Sequence, residues 1–475
     1  MDSKVAHSHP SRVLIPILAV YALLWVALLN GYPTIFPDTG QYLIRSFTLE
    51  VPPYRTIFYS IFMRLTSLGI SPWLVVIAQS AITVFVLRQC FNFFFEHRTS
   101  VTGKSRLFLG FVLALAWGTS LPWSVGQLMP DIFTGLLVLC MFLLLYDSQL
   151  TTETSVILAV VIAISIACHQ SHLLISCALL VTIAGLRAFR GARQFWPTRS
   201  RKQIGVFVLT PILAGALAVA SSNRFAGMGF VLSPGGHMFM LARLFASGMA
   251  SSFLRQDCKL ESLIACKYLD NLPTNEDEFL WWYTNPVFKA MGGWVNSKQE
   301  ANRIIVGAIR YNPGRFLRES IKQTFRQFVS MKPGDGNARY FPFEIEELKK
   351  VYPQDIPKLE FTRQWNGGLM KLANRLSALD AAVFWCSMGG CLLFLAKDWR
   401  YAGGASKLFI FLLISLLANA FVTASLSQVS DRYQSRVSWL MALCFMAYVI
   451  SMLRRRHSRA ELAEEPERYS AVEAA

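Results

Sequence analysis

Long apolar stretches, separated by short polar turns, recur along most of the chain. A helix needs about 20 mostly apolar residues to cross a bilayer, and about 17 are enough. The apolar stretches predict ten spans, at 13–30, 72–91, 106–122, 131–147, 154–168, 172–187, 203–222, 379–396, 406–425 and 434–453. The fifth and sixth are short and are interrupted by CHQSH, which we interpret as a tight turn. The predicted fold class is an all-α polytopic membrane protein.

The segment 223–378 is the most polar long region and mixes helical patches with turn clusters such as KPGDGN. It is predicted to form a large, mostly helical extracytoplasmic loop domain between spans 7 and 8. The stretch 56–71 carries Arg64 and is predicted to be an interfacial helix. The remaining divisions are an N-terminal module 1–222 (spans 1–7, with a first loop 31–71), a C-terminal module 379–453 (spans 8–10) and a tail 454–475. Roughly the last 15 residues are predicted to be disordered.

Charge indicates the orientation of the chain. Charged residues make up only 16% of it, but 46 Lys and Arg against 29 Asp and Glu give a net charge of +17. Basic residues concentrate in loops 92–105, 188–202 and 397–405 and in the tail, whereas the short loops 123–130 and 169–171 have none. The positive-inside rule therefore predicts that both termini are cytoplasmic and that 223–378 lies outside.

Two of the nine cysteines, Cys258 and Cys266, lie in the predicted outer loop. An extracytoplasmic compartment permits a disulfide between them, and two free thiols at about helical spacing is the alternative. No CxxC pair or HExxH helix is present. The sequence therefore predicts no cofactor and leaves a divalent cation as an open possibility.

With this topology, several ionisable residues that are distant in sequence share the outer membrane face. They are Asp38, Arg55, Asp131, His169, His172, Asp431, Arg432 and Tyr433. Ionisable residues at membrane depth are costly and mark functional sites by default. We expect Asp131, His172 and Arg432 to be the neighbours of Asp38.

Each of these residues also has a purely structural interpretation. Asp38 is a turn former in PDTG, and Asp131 follows Pro130 at a helix start, where a carboxylate caps the helix or faces headgroups.

The histidine pair and the late acidic residue have structural interpretations as well. His169 and His172 stabilise a tight interhelical turn in one interpretation. Asp431 and Arg432 form a local ion pair at the interface in another.

Four motifs stand at the ends of the predicted spans: VPPYRTIFY after the first span, Gln79 in the next span, SVGQLMPDIF before the fourth and SDRYQSRVSWLM at a late span. Together they resemble the GT-C class of polytopic glycosyltransferases, in particular the bacterial branch that uses polyprenyl-phosphate sugars. That branch includes protein mannosyltransferase-like and lipid A sugar transferases. The resemblance covers 1–190 and 379–453 and leaves out the outer loop. The usual acidic pair of the first loop is missing, because Thr39 follows Asp38.

The resemblance implies an inverting glycosyltransferase of the bacterial inner membrane with an extracytoplasmic active site. Its partners would be a polyprenyl-phosphate-sugar donor, membrane lipid and a glycan, lipid or protein acceptor, without nucleic acid. Asp38 would be the general base, Asp131 a second catalytic candidate, and a phosphate-binding set would hold the donor. That set is Arg55, Arg432, His169, His172 and Tyr433. A polysaccharide polymerase or ligase, an acyltransferase, and a transporter or flippase are the alternatives.

Overall fold

A computed structural model describes residues 11–95, 101–186, 188–258, 263–281, 285–398 and 403–473, with the side chains of 11–12, 101–102, 190, 398 and 454–473 left out. The described residues form helices and one isolated bridge, with no β-strand among them. The N-terminal helices are α1 Ser11–Leu23, α2 Trp25–Asn30, α3 Thr39–Thr48, α4 Phe58–Ser67, α5 Trp73–Phe94, α6 Val101–Gly118, α7 Leu121–Val125, α8 Ile132–Tyr146, α9 Thr152–Cys168, α10 Gln170–Leu186, α11 Arg201–Ile204 and α12 Thr210–Phe225.

The middle of the chain consists of shorter helices, and the C-terminal part of three long ones. The middle helices are α13 Gly236–Ala246, α14 Met249–Asp257, α15 Glu276–Leu280, α16 Pro286–Ala290, α17 Gly293–Asn296, α18 Lys298–Tyr311, α19 Pro313–Val329, α20 Pro342–Val351 and α21 Ile356–Leu359. The C-terminal helices are α22 Gly368–Asp398, α23 Gly404–Leu426 and α24 Asp431–Glu473.

Five helices within the described residues are long and apolar enough to cross a membrane. They are Trp73–Phe94, Arg201–Phe225, Gly368–Lys397, Gly404–Leu426 and Asp431–Leu453. Four shorter apolar helices accompany them, Val13–Leu23, Ile132–Tyr146, Thr152–Cys168 and Gln170–Leu186. The membrane-embedded, all-helical character is therefore confirmed. The count of ten spans, the loop domain and the orientation of the termini stay predictions.

Several helix boundaries differ from the predicted spans. The first predicted span is broken at Leu24 between α1 and α2. Helix α22 begins at Gly368, well before the predicted span at 379, because Lys371 and Arg375 lower the hydropathy of its first turns without interrupting the helix. Helix α24 continues to Glu473, through the stretch predicted to be disordered, where Ala, Glu and Arg are strong helix formers. The disorder of the tail stays a prediction.

The hydrophobic core explains how the middle segment meets the bundle. One large cluster of buried side chains runs through the apolar helices and also includes Met331, Leu348, Tyr352 and Leu359 from the middle segment. A second cluster lies within 238–308 and packs α13, α14 and α18 together. The C-terminal part of the predicted loop domain is thus built into the core of the bundle, next to the first loop.

Candidate active site at the Asp38 end of the bundle

The loop that carries Asp38 is tied by backbone hydrogen bonds to the loop that carries Asp131. The Thr34 N–H donates to the Gly126 carbonyl at 2.9 Å, and the Leu128 N–H donates to the Thr34 carbonyl at 3.0 Å. These bonds form a short parallel bridge between the first loop and the segment before α8. They bring the two carboxylates to the same end of the bundle, as the sequence predicts.

Five charged side chains form a continuous chain there, which we call the charge cluster. Arg55 Nη2 donates to Asp38 Oδ1 at 2.9 Å, and Arg432 Nη1 lies 4.0 Å from Asp38 Oδ2. Arg432 Nε lies 3.6 Å from Asp131 Oδ1. Arg436 Nη1 lies 3.4 Å from the same oxygen. Arg432 therefore bridges the two carboxylates, while Arg55 and Arg436 close the ends of the chain.

The exposure of the side chains falls from Asp38 through Arg432 and Asp131 to Arg436. The Asp38 side chain is 32% exposed and Arg55 is 12% exposed. Arg432 is 10% exposed and Asp131 is 2% exposed, and Arg436 is completely buried. A molecule that arrives from outside therefore meets Asp38 first and reaches Asp131 only by displacing protein atoms.

The two arginines that face Asp38 control its ionisation. Burial alone raises the pKa of the Asp38 carboxyl, but the positive charges of Arg55 and Arg432 outweigh burial and hold that pKa below its usual value. The Asp38 carboxylate in turn raises the pKa of the Arg55 guanidinium, against the effect of burial. Asp38 is thus an ionised hydrogen-bond acceptor at neutral pH.

Helix capping does not account for the two carboxylates. Asp38 and Asp131 occupy the N-cap positions of α3 and α8, yet neither side chain makes a capping hydrogen bond. Their oxygens face arginines instead. Asp431 accepts a hydrogen bond from the Lys332 N–H at 3.2 Å, and Arg432 pairs with Asp38 and Asp131. The proposed local ion pair between Asp431 and Arg432 is therefore not present within the described residues.

The geometry of the two histidines favours the turn interpretation. His172 is fully buried. Its Nε2 lies 2.7 Å from Thr134 Oγ1 and its Nδ1 lies 2.6 Å from the Ser165 carbonyl oxygen. His169 Nδ1 accepts from the Ser171 N–H at 3.2 Å, at the junction of α9 and α10. Both ring nitrogens of His172 are thus engaged by protein atoms, which leaves neither for a phosphate.

Aromatic rings line the arginines at the start of α24. The Arg432 guanidinium lies 4.0 Å from the ring centre of Phe36 and 5.1 Å from that of Tyr433. The same Tyr433 ring lies 5.1 Å from the Arg436 guanidinium. Arg436 Nη2 also donates to Asn419 Oδ1 at 2.9 Å. The Tyr433 ring therefore lies within cation–π distance of both guanidinium groups.

Sequence reasoning missed two members of this site. Arg436 follows Arg432 by one helical turn, and this spacing in SDRYQSR is the signal that was available. Asp335 lies in the middle segment, for which no motif was recognised. Its Oδ2 accepts from Ser430 Oγ at 2.6 Å and from the Arg432 N–H at 3.0 Å. Asp335 thus holds the first turn of α24 in place.

Gln79, which the resemblance singles out, is a structural residue here. Its Oε1 accepts from the Tyr59 hydroxyl at 2.8 Å. Its amide nitrogen donates to the carbonyls of Val125 and Gln127 at 2.9 and 3.0 Å. Gln127 in turn donates to Asn337 Oδ1 at 3.1 Å. Gln79 therefore holds the loop before α8 through hydrogen bonds, and none of these bonds involves the charge cluster.

Helix α20 of the middle segment brings two more carboxylates against α3. The side-chain amide of Gln41 donates to Glu347, and a Cβ at Gly40 would collide with the Glu347 side chain. Burial raises the pKa of Glu344 to about 7, against the stabilising hydrogen bond from the Phe341 N–H. The charges of Glu347 and Asp38 contribute a smaller part of this rise.

No group of three or more His, Cys, Asp and Glu side chains in the described part of the chain is placed to hold a metal ion. Cys258 and Cys266 form a disulfide, so the first of the two alternatives for this pair is confirmed. Comparison with protein-family models, with curated proteins and with solved structures finds no match to this chain. The interpretation of the site therefore depends on its own geometry.

Proposed function

We propose that this protein is an inverting membrane glycosyltransferase that moves a sugar from a polyprenyl-phosphate donor to an acceptor at the extracytoplasmic face. The observation that carries the proposal is the pairing of a solvent-accessible carboxylate, Asp38, with Arg55 and Arg432 at one end of an apolar helical bundle. A base for a hydroxyl and cations for a phosphate are the two groups that this reaction needs.

Asp38 is the general base. In a single displacement the acceptor hydroxyl oxygen bonds to the anomeric carbon and its proton goes to Asp38, while the bond from that carbon to the phosphate oxygen breaks. The electron pair leaves with the polyprenyl phosphate. Asp38 suits this role because its carboxylate is ionised and 32% exposed.

Arg55 and Arg432 receive the phosphate. A guanidinium binds phosphate through two hydrogen bonds, and its charge offsets the charge that develops on the leaving group. A bound phosphate competes with Asp38 for both arginines. Donor binding therefore raises the pKa of Asp38 toward its ordinary value and makes it a stronger base when the donor is in place.

Asp131 and Arg436 position Arg432. Asp131 contacts both arginines at 3.6 and 3.4 Å and is almost completely buried. Removal of either group leaves an unpaired charge inside the bundle. This assigns Asp131 a positioning role instead of the catalytic one that the resemblance implies.

The proposal is tested by mass analysis of envelope glycans in cells with and without the protein. Loss of the protein should remove one sugar from an envelope glycan, lipid or protein and should cause the polyprenyl-phosphate sugar to accumulate. Re-expression of wild type and of Glu50→Gln should restore the sugar, whereas Asp38→Asn should not. Glu50 is the matched control because it is an exposed carboxylate of the same loop, outside the charge cluster. Unchanged glycans and an unchanged donor pool in the deletion strain would contradict the proposal.

A further inference from the structure

A groove of about 760 Å³ lies between α1, α5 and α6 and extends along α5 from Ile77 to Arg88. Arg88, which lines it, is about 14 Å further along α5 than Gln79, at about 1.5 Å per residue. Gln79 accepts a hydrogen bond from the Tyr59 hydroxyl. The polar end of the groove, with Arg88 and Ser105, therefore lies away from the charge cluster, while its other end reaches the level of Gln79 at Ile77.

The wall of the groove is apolar and opens to the outer surface of the bundle. Ile17 is 46% exposed and Ile77 is 40% exposed, and both line it. Its volume falls within the range of about 300–1,000 Å³ that is typical of small-molecule sites. Along a membrane-embedded helix such an opening faces lipid chains.

Arg88, in the wall of this groove, has no anionic partner among the described residues. The Arg88 guanidinium lies 4.8 Å from the Phe108 ring centre and 6.0 Å from the Phe91 ring centre. No ion pair or hydrogen bond joins its side chain to another described residue. Ser105 adds a hydroxyl to the same wall. An arginine at membrane depth is costly unless an anion pairs with it.

We infer that this groove binds one anionic glycerophospholipid of the leaflet at that end of the bundle. One acyl chain lies along the apolar wall of α1 and α5, and the phosphate pairs with Arg88 and accepts from Ser105. Charge complementarity selects this occupant, because basic pockets between membrane helices bind anionic headgroups. The inference does not depend on the proposed glycosyl transfer.

Native mass spectrometry of the full chain in a neutral detergent tests the inference, with phosphatidylglycerol and phosphatidylcholine of identical acyl chains as probes. Wild type should retain one phosphatidylglycerol about 5-fold more tightly than phosphatidylcholine, the selectivity expected from one basic side chain beside an anionic headgroup. Arg88→Gln should remove this preference, and Ala81→Phe should weaken both lipids by filling the groove. The matched controls are Arg106→Gln, an exposed arginine beside Ser105, and Ala214→Phe, an exposed alanine of α12.

Circular dichroism should show native helix content for all four variants. If Ala81→Phe fails to fold, Arg88→Gln and Arg106→Gln alone decide between the outcomes. Three results would each overturn the inference. The first is equal affinity of wild type for the two lipids, and the second is an equal loss of phosphatidylglycerol affinity in Arg88→Gln and Arg106→Gln. The third is displacement of phosphatidylglycerol by an equal concentration of polyprenyl phosphate.

Discussion

The two carboxylates of the charge cluster are similar in pairing and opposite in environment. Asp38 contacts Arg55 and Arg432 and is 32% exposed. Asp131 contacts Arg432 and Arg436 and is 2% exposed. The same interaction therefore has two uses in one cluster. A buried ion pair stabilises the fold, and the loss of one member leaves an unpaired buried charge. In an accessible ion pair, a ligand is able to replace one member as the partner of the other.

This difference predicts where the chain tolerates loss of a carboxylate. Asp131→Asn should lower the free energy of unfolding by about 3–5 kcal/mol, because it leaves the fully buried Arg436 without a counterion and Arg432 with Asp38 alone. Asp38→Asn should cost less than Asp131→Asn, because the Asp38 carboxylate is 32% exposed and Arg432 keeps Asp131 as a partner. Chemical unfolding in detergent, followed by circular dichroism, measures both. Equal losses of unfolding free energy in the two variants would show that the Asp38 and Asp131 sites do not differ in this way.

Arg55 should contribute to donor binding at the accessible end. Arg55→Ala should weaken polyprenyl-phosphate binding by about 10-fold or more, since hydrogen bonds to charged groups contribute roughly 1.5–3 kcal/mol. Arg55→Lys should recover only part of the loss because an ammonium group does not bind phosphate in a bidentate way. Titration of the purified variants with the lipid phosphate provides the affinities. An unchanged affinity in Arg55→Ala would mean that the phosphate binds elsewhere.

The acid limb of the pH–rate profile should report on the same pair. Asp38 acts as a base only when ionised, and its arginine partners lower its pKa, so activity in wild type should persist below the ordinary carboxyl pKa. Loss of Arg55 removes one of these charges and raises the pKa of Asp38. In Arg55→Ala the acid limb of kcat/KM should therefore move to higher pH. An identical limb in both proteins would show that a different group titrates.

The smallest effect concerns Glu344, whose pKa is raised to about 7 in the folded protein by burial and, to a smaller extent, by the neighbouring Glu347 and Asp38. The folded state therefore binds the Glu344 proton more tightly than the unfolded state does. Stability should therefore fall as the pH rises from the ordinary glutamate range to about 7. Glu344→Gln should reduce this fall. Unfolding midpoints at pH 5 and pH 8 test it, and an equal fall in the variant would exclude Glu344 as its source.

The accessible half of the charge cluster was predictable from the sequence and the buried half was only partly so. The ends of apolar stretches place Asp38, Asp131 and Arg432 on one face, and the structure brings all three together. Arg436 lies within an apolar stretch, where its helical spacing from Arg432 was not used. Asp335 was out of reach because its contact with Arg432 joins segments that are distant in the chain and is set by tertiary packing.

The fold shows the same limit at a larger scale. Hydropathy identifies the apolar helices because their composition alone determines that they are buried or face lipid. It separates 223–378 as a polar loop domain, whereas residues such as Leu348 and Tyr352 pack in the core of the bundle. Their burial depends on which helix they meet, and no local pattern encodes that partner.

In the proposed mechanism Asp38 is the base, Arg55 and Arg432 bind the phosphate, and Asp131 and Arg436 position Arg432. The most direct measurement is the transfer rate of purified Asp38→Asn at saturating donor, with donor affinity determined on the same sample. Loss of a general base typically lowers the rate by about 10²- to 10⁴-fold. We expect a loss of this size, with Glu50→Gln at the wild-type rate. Donor affinity in Asp38→Asn should equal or exceed that of wild type, because the phosphate no longer competes with a carboxylate for Arg55 and Arg432. A near-normal rate in Asp38→Asn would contradict the account and leave Asp38 as a turn residue.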